Sequence, residues 1–232
     1  MEDVRFATPL YTLTEAARAL DVPATSFQTW VRGYVRRPPG RAPVIGEPIV
    51  TALPTNGRDA TVPFVGLAEG YVLAAIRKQG VPLQRIRPAL VVLQKELGLD
   101  HALASERLFT DGAELIFDYA DRSKDESSRE LVVVRHGQRV FNDVIDAYLR
   151  RITFAADGWA QRIRLPQYER ATVIADPRFG FGQPSFLHGR ARVSDVLERF
   201  WAGDNLTALA TEFGVPQVEL EDAVRVASRW AA

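Results

Sequence analysis

The side chains best suited to chemistry in this sequence are polar groups that follow Pro23 at short intervals. If Phe27, Trp30 and Val31 face inward on one helix, hydroxyl, amide and guanidinium groups remain on its outer face. Those groups are Thr25, Ser26, Gln28, Thr29 and Arg32. Such donors and acceptors can hydrogen-bond base edges and phosphates in a major groove. The pattern therefore predicts that this face binds DNA.

A group of arginines after this helix extends the predicted surface. Its members are Arg36, Arg37, Arg41 and Arg58. We expect them on a basic hairpin, where their guanidinium groups would contact the DNA backbone and the adjacent minor groove. The alternative is a solvated helix face beside a basic loop that binds nothing.

No residue pattern in the sequence indicates catalysis. The histidines His101, His136 and His188 are far apart and form no pair with metal-ligand spacing. Gly180-Phe181-Gly182 carries two glycines of a dinucleotide-binding loop but lacks the third glycine and the strand–helix setting. We therefore predict a protein that is not an enzyme and that needs no cofactor or metal.

Helix signals outline the elements that position the polar face. Thr12-Leu13-Thr14-Glu15 is typical of a helix N-cap, ahead of a short helix from Ala16 to Leu20. A second helix is predicted from Pro23 to Gly33, because proline suits the first helical turn and glycine suits a helix end. Together the two helices outline a helix-turn-helix.

A hairpin and two longer helices should follow this unit. Val44-Ile45 and Ile49-Val50 are short β-type runs, and Asn56-Gly57 is a hairpin turn signal. They predict the basic β-hairpin, or wing. Helical periodicity then returns over residues 65–79 and 82–97.

The helix-turn-helix outline occurs again near the end of the chain, but with the opposite charge. In the same register, positions 25, 26, 28 and 29 become Val218, Glu219, Glu221 and Asp222. Carboxylates repel phosphates, so this unit should not bind DNA. We expect it to contact protein instead, either a second copy of the chain or another protein.

A loop rich in glycine, proline and phenylalanine precedes this second unit, from Asp176 to Pro184. Aromatic and arginine side chains are favoured at the centres of protein interfaces. The candidates for partner binding here are Arg178, Phe179, Phe181, Phe186, Arg190 and Arg192.

Composition favours a cytoplasmic globular protein. The 232 residues are 47% hydrophobic and 25% charged, with no cysteine, and contain no apolar run near 18 residues and no signal-peptide pattern. The net charge is zero, but residues 1–98 hold 12 basic and 8 acidic residues, whereas the remainder holds 17 and 21. The positive excess lies at the end predicted to bind a polyanion.

Two families share these patterns. Residues 9–98, with Thr12-Leu13-Thr14-Glu15-Ala16-Ala17 and the joint Gly80-Val81-Pro82-Leu83-Gln84-Arg85-Ile86, resemble the DNA-binding domain of MerR-type winged-helix regulators. Residues 176–230, with Asp176-Pro177-Arg178, Gly182-Gln183-Pro184 and Val193-Ser194-Asp195-Val196-Leu197, look like a small three-helix antitoxin domain of unknown function. Together the two ends resemble VapB-type antitoxins.

The resemblance implies two partners, the chain's own promoter DNA and a PIN-domain ribonuclease toxin. An arginine fork placed into the acidic, metal-binding pocket of such a toxin would block it, because it pairs carboxylates bidentately. Arg178, Arg190 and Arg192 are candidates by position.

The sequence departs from these families in two places. His188-Gly189-Arg190-Ala191-Arg192 replaces the Gly-Thr-Arg turn that is usual in the antitoxin domain. No heptad run follows Leu97 to form the dimer interface of MerR-type regulators.

We therefore predict a mainly α fold with an α+β middle. Residues 1–98 would form the winged helix-turn-helix, 99–175 an α+β region, and 176–232 the three-helix module. The middle region would hold strands near 115–117, 131–134, 163–165 and 172–174 and a helix over 140–151. The predicted function is a DNA-binding, homodimeric antitoxin that regulates its own operon. A stand-alone transcription factor and a protein-interaction adaptor are the alternatives.

Overall fold

The computed structural model describes residues 3–40, 42–54, 61–78, 100–108 and 150–231, together with residues 147–148 and isolated positions between 83 and 98. Its helices are α1 (Val4–Ala7), α2 (Leu13–Ala19), α3 (Ala24–Arg32), α4 (Phe64–Lys78), α5 (Val193–Trp201), α6 (Leu206–Phe213) and α7 (Gln217–Ala231). Its strands are β1 (Tyr34–Arg36), β2 (Val44–Gly46), β3 (Ile152–Phe154), β4 (Ala160–Arg164), β5 (Val173–Ala175) and β6 (Ser185–Phe186). Short 3-10 turns cover Ala102–Ala104 and Gly180–Gly182.

Helices α2 and α3 form the predicted helix-turn-helix. A capping box starts α2, because the Thr12 side chain accepts from the Glu15 N–H while the Glu15 carboxylate accepts from the Thr12 N–H. Buried alanines on α2 let α3 approach closely. The turn between the helices places Asp21 at φ 55°, a left-handed conformation that aspartate tolerates.

The inward face of α3 is the predicted one. Phe27, Trp30 and Val31 are buried, and the Phe27 and Trp30 rings lie 6.0 Å apart. Helix α4 crosses this face at Gly70, where an added Cβ atom would lie 2.7 Å from Phe27 Cε2. Only a glycine allows α4 to pack this closely.

A two-stranded antiparallel hairpin follows α3. Its second strand contains the predicted run Val44-Ile45, whereas its first strand lies outside the predicted runs. Strand β1 pairs with β2, so that Tyr34 lies opposite Gly46. The predicted run Ile49-Val50 is not a strand. Its two backbone N–H groups donate instead to the Trp30 carbonyl at the end of α3, at 2.8 and 3.2 Å. Asn56-Gly57 lies outside the described residues.

The middle of the chain contributes an antiparallel sheet in the order β3-β4-β5-β6. The strands predicted near 163–165 and 172–174 correspond to β4 and β5. This sheet spans residues 152–186, so it runs across the domain division predicted at residue 175. The strands predicted at 115–117 and 131–134, and most of the helix predicted over 140–151, lie outside the described residues.

Helices α5, α6 and α7 match the periodicity of the sequence. Asn205 caps α6 by accepting from the Thr207 N–H, and Gly214 ends it in the left-handed conformation. The carboxylate face predicted for α7 is wrong in part, because Glu219 and Asp222 are buried. Asp222 accepts from the N–H groups of Arg170 and Ala171, so this face packs on the loop between β4 and β5.

One hydrophobic core runs through the described residues. It extends without interruption from Tyr11 to Val226, and includes α2, α3, α4, the sheet and the last three helices. Burial of this core is the main favourable term in folding. The two helix-turn-helix units therefore share one packed interior.

The orientation of α3 predicts opposite effects for two adjacent residues. Phe27→Ala should lower the free energy of unfolding by about 3–5 kcal/mol, because it empties a fully buried site. Gln28→Ala should change it by less than about 0.5 kcal/mol, because that side chain is exposed. Urea unfolding followed by circular dichroism measures both, and equal losses would contradict this orientation.

Candidate functional site

The outer face of α3 presents a short polar stripe. Thr25, Gln28 and Arg32 are exposed, and their spacing of three and four residues places them along one side of the helix. Ser26 and Thr29 are half-buried. The Thr29 hydroxyl donates to the Thr25 carbonyl at 2.9 Å within the helix, so it is not available to donate to DNA in this conformation. Amide and guanidinium groups therefore carry most of the hydrogen-bonding capacity of this face.

The hairpin continues this stripe with positive charge. Arg36 and Arg37 are exposed directly after α3. The Arg36 guanidinium lies 5.2 Å from the centre of the Tyr34 ring, and the Arg87 guanidinium lies 5.3 Å from the same centre. Tyr34 can lie flat here because Gly46 opposite has no side chain to meet its ring. Arg41 and Arg58 of the predicted set lie outside the described residues.

A buried carboxylate fixes the chain that leaves the hairpin. Glu69 on α4 accepts from the Thr51 N–H at 2.6 Å and from the Thr51 hydroxyl at 3.1 Å. His101 Nδ1 lies 2.9 Å from the same carboxylate. The hydrogen bond to Glu69 raises the pKa of His101 above 6.5, although burial opposes the shift. This network connects the hairpin, α4 and the turn at residue 101.

A second polar cluster forms where the two inner strands of the four-stranded sheet, β4 and β5, lie side by side. Asp176 is buried and accepts from Arg162 Nε at 3.0 Å and from Arg178 Nε and Nη2 at 3.0 and 2.8 Å. Burial alone would raise the pKa of Asp176, but the hydrogen bonds from Arg178 and Arg162 outweigh it and hold the pKa below its ordinary value. Asp176 is therefore an ionised anchor for two guanidinium groups.

Three arginines in and beside this cluster surround one aromatic ring. The guanidinium carbons of Arg162, Arg178 and Arg190 lie 5.9, 5.7 and 4.6 Å from the centre of Phe179. Arg190 is exposed and, among the described residues, forms no ion pair with a carboxylate. A cavity of about 190 Å³ opens between Arg162, Phe179 and Arg190. The cluster thus presents one uncompensated guanidinium beside a recess.

The loop that carries this cluster has an unusual backbone. Phe181 and Arg190 adopt positive φ angles of 54° and 56°, which non-glycine residues rarely do. Such strain is common at binding sites, where the surrounding structure enforces it. Phe181 is 80% exposed, whereas Arg192 is held in an ion pair with Asp195.

The prediction that Phe186 contacts a partner is wrong. Phe186 is only 1% exposed, because it belongs to β6 and packs into the core. The sequence reasoning placed it in an open loop and missed the short strand. It also missed Arg162 and Asp176 as members of the cluster, since only the pairing of β4 with β5 brings them together.

Neither a metal cluster nor a membrane helix is found in the parts of the chain that the structure describes. No group of three or more histidine or acidic residues there is arranged to hold a metal ion. Within the same residues, no helix combines the length and the apolar character needed to cross a bilayer.

Known proteins match both ends of this arrangement. Residues 9–90 match the family described as "Putative DNA-binding HTH domain". The chain is 50% identical over 228 residues to "Putative antitoxin VapB45" from Mycobacterium tuberculosis (strain ATCC 25618 / H37Rv), which covers 96% of this chain and 95% of that protein. This chain belongs to the VapB45 family.

Two further matches extend over most of the chain. "Uncharacterized protein Rv2308" from the same organism is 25% identical over 221 residues, which cover 93% of this chain and 88% of that protein. The X-ray crystal structure of Rv2018 from Mycobacterium tuberculosis matches with a TM-score of 0.80 and 44% identity, and covers 95% of this chain and 99% of that one. The fold described above is therefore shared with the Rv2018 crystal structure.

These matches confirm part of the sequence analysis. The N-terminal helix-turn-helix domain and the resemblance to antitoxins are both confirmed. The likeness of the hairpin to a MerR-type wing, and of α5–α7 to the small antitoxin domain, stay predictions.

The pair of His101 and Glu69 predicts a pH dependence of stability. Because the folded-state pKa of His101 lies above its unfolded value of 6.5, the pair stabilises the fold fully below pH 6.5. That contribution is lost as the pH rises through the folded-state pKa. Wild-type stability in urea should therefore show a component that falls as the pH rises above 6.5.

The variants His101→Gln and Glu69→Gln should both lack this component, because each removes one partner of the pair. Unfolding curves at four pH values test this. A falling component of the same size in all three proteins would show that other groups cause it.

Proposed function

We propose that this chain is a DNA-binding antitoxin that neutralises a PIN-domain ribonuclease toxin and regulates its own operon. The observation that carries the proposal is the pairing of two separate cationic sites on one core: the stripe of α3 and the hairpin, and the arginine cluster around Phe179. The antitoxin name of the 50% identical relative supports the same reading. In this proposal the chain performs no catalytic step of its own.

The DNA site would use α3 as the recognition helix. The exposed amide of Gln28 suits an adenine edge, and the guanidinium of Arg32 suits a guanine edge or a phosphate. Arg36 and Arg37 on the hairpin would then contact the flanking backbone, which fixes the orientation of the helix. Phosphate contacts supply most of the affinity, and side chains on α3 supply the sequence preference.

The toxin site would use the arginine cluster. PIN-domain ribonucleases carry an acidic, metal-binding pocket, and a guanidinium is a bidentate partner for clustered carboxylates. Arg178 is already committed to Asp176, and Arg192 to Asp195. Arg190 is free of such a partner among the described residues and lies at the recess, so it is the arginine we assign to the toxin pocket. The exposed ring of Phe181 would supply an apolar anchor beside it.

A homodimer is part of the proposal. One helix-turn-helix reads few base pairs, and two copies on a two-fold operator give the affinity that a single unit lacks. This chain would regulate its operon as that dimer, from the cytoplasm, where promoter and toxin are both present.

The hairpin arginines make the DNA site testable through salt. For the chain's own promoter fragment, we expect the logarithm of the binding constant to fall steeply with the logarithm of salt concentration. The double variant Arg36→Gln and Arg37→Gln should reduce that slope by about 2, because about one phosphate contact is lost per residue. Fluorescence anisotropy across a salt series measures the slope.

The matched control is Arg164→Gln with Arg170→Gln, which removes two exposed arginines that belong neither to α3 nor to the hairpin. It should leave the slope unchanged. If the salt dependence of binding had the same slope in both double variants, the positive charge would act non-specifically. If the wild type did not bind the promoter at all, the protein-interaction adaptor would be favoured.

The assignment of Arg190 predicts a selective loss of toxin inhibition. The Arg190→Gln variant should weaken inhibition of the PIN-domain ribonuclease encoded beside this gene by about 2–5 kcal/mol, since a desolvated charge pair would be broken. DNA binding should not change, because Arg190 lies beside the Phe179 ring and belongs neither to α3 nor to the hairpin. A ribonuclease assay with increasing antitoxin measures the loss.

Arg170→Gln serves again as the control for charge. The proposed toxin site would be contradicted if Arg190→Gln still inhibited the ribonuclease fully, and if a triple variant that also changes Arg178 and Arg192 did the same. The absence of a ribonuclease gene beside this one would favour the stand-alone regulator.

A further inference from the structure

A cavity of about 360 Å³ lies between α2 and the C-terminal helices. Tyr11 and Arg18 line it from the N-terminal side, and Leu197, Trp201 and Ala227 line it from α5 and α7. Its walls are mostly apolar, with a few polar groups among them. The volume lies at the lower end of the range for small-molecule sites, which are also mostly apolar and often lie between structural units.

One polar atom in this wall has no hydrogen-bond partner among the residues that the structure describes. Gln167 lines the cavity and is only 8% exposed, yet its Oε1 atom accepts no hydrogen bond from any of those residues. Its Nε2 atom donates to the Arg18 carbonyl at 3.5 Å, which is a long contact. Nearly all buried acceptors in folded proteins are hydrogen-bonded. An acceptor that loses its hydrogen bonds to water on folding, and gains none in the protein, lowers the free energy of unfolding. The Gln167 oxygen therefore retains the capacity to accept a hydrogen bond from a donor that enters the cavity.

We propose that this cavity binds a small, largely apolar molecule that carries one hydrogen-bond donor. The donor, an O–H or N–H group, pairs with Gln167 Oε1, and the apolar body contacts Leu197 and the rim at Trp201. The terminal torsion of a glutamine amide is soft, so Oε1 turns to the ligand at little cost. This site is separate from the two cationic sites, and it does not depend on the proposed antitoxin function.

The position of the cavity gives the ligand a structural role. Its walls come from the first helix of the DNA-binding unit and from the helices that follow the arginine cluster. Tyr11, in the same wall, donates to the Gly182 carbonyl in the loop that carries Phe179 and Phe181. A ligand here contacts both units at once and stabilises their packing.

Two matched probes test the site on the full chain. The probes are 2-naphthol, which has an O–H donor, and 2-methoxynaphthalene, which has none. In saturation-transfer NMR titrations the wild type should bind 2-naphthol about tenfold more tightly. In the Gln167→Met variant, the affinities for the two probes should differ by no more than about twofold. The methionine thioether is only a weak hydrogen-bond acceptor, but its side chain keeps the apolar contacts with the probe.

Filling the cavity separates this site from generic surface binding. Ala227→Trp should abolish binding of both probes, whereas Ala202→Trp, at the exposed end of α5, should leave both unchanged. Retained binding of 2-methoxynaphthalene by Gln167→Met also shows that this variant is folded. Equal affinities in the wild type, a tenfold preference that survives in Gln167→Met, or binding by Ala227→Trp would each overturn the proposal.

Discussion

The Tyr11 hydroxyl donates a 2.6 Å hydrogen bond to the Gly182 carbonyl, and both groups are buried. Burial raises the pKa of Tyr11 far above 10, so the hydroxyl keeps its proton. The Tyr11 backbone pairs with Val62 just before α4, and the next residue caps α2. Gly182 belongs to the turn that carries the arginine cluster, and a Cβ there would meet the Tyr11 oxygen at 2.7 Å. The positions of both candidate sites therefore depend on this one contact.

The helices were predictable because their signals are local. The capping box at Thr12, the inward spacing of Phe27 and Trp30, and the cap at Asn205 all lie within a few residues of the element they define. Strand β1 carries no such local signal. It is defined by its hydrogen bonds to β2, which lies on the other side of the Arg-rich turn. Short strands acquire their identity from distant partners, and a single sequence does not show which partner that is.

The candidate sites divide in the same way. The exposed stripe of α3 follows from helix geometry, so Gln28 and Arg32 were found from spacing alone. At the arginine cluster, Arg178 and Arg190 were found from position, but the neighbours that set their roles were not. Asp176 occupies Arg178 and thereby leaves Arg190 as the free guanidinium. Likewise, Glu219 and Asp222 look solvated in the sequence, although backbone N–H groups from a loop 47–52 residues away hold them inside.

The continuous core from Tyr11 to Val226 joins the two cationic sites through the folding equilibrium itself. A molecule that binds only the folded chain stabilises it by mass action, wherever on the surface it binds. Because both units contribute to one core, occupation of the hairpin surface also protects the arginine cluster from global unfolding, and the reverse holds equally. Two partners at opposite ends can thus favour each other's binding with no change of shape, through the shared stability of a single interior.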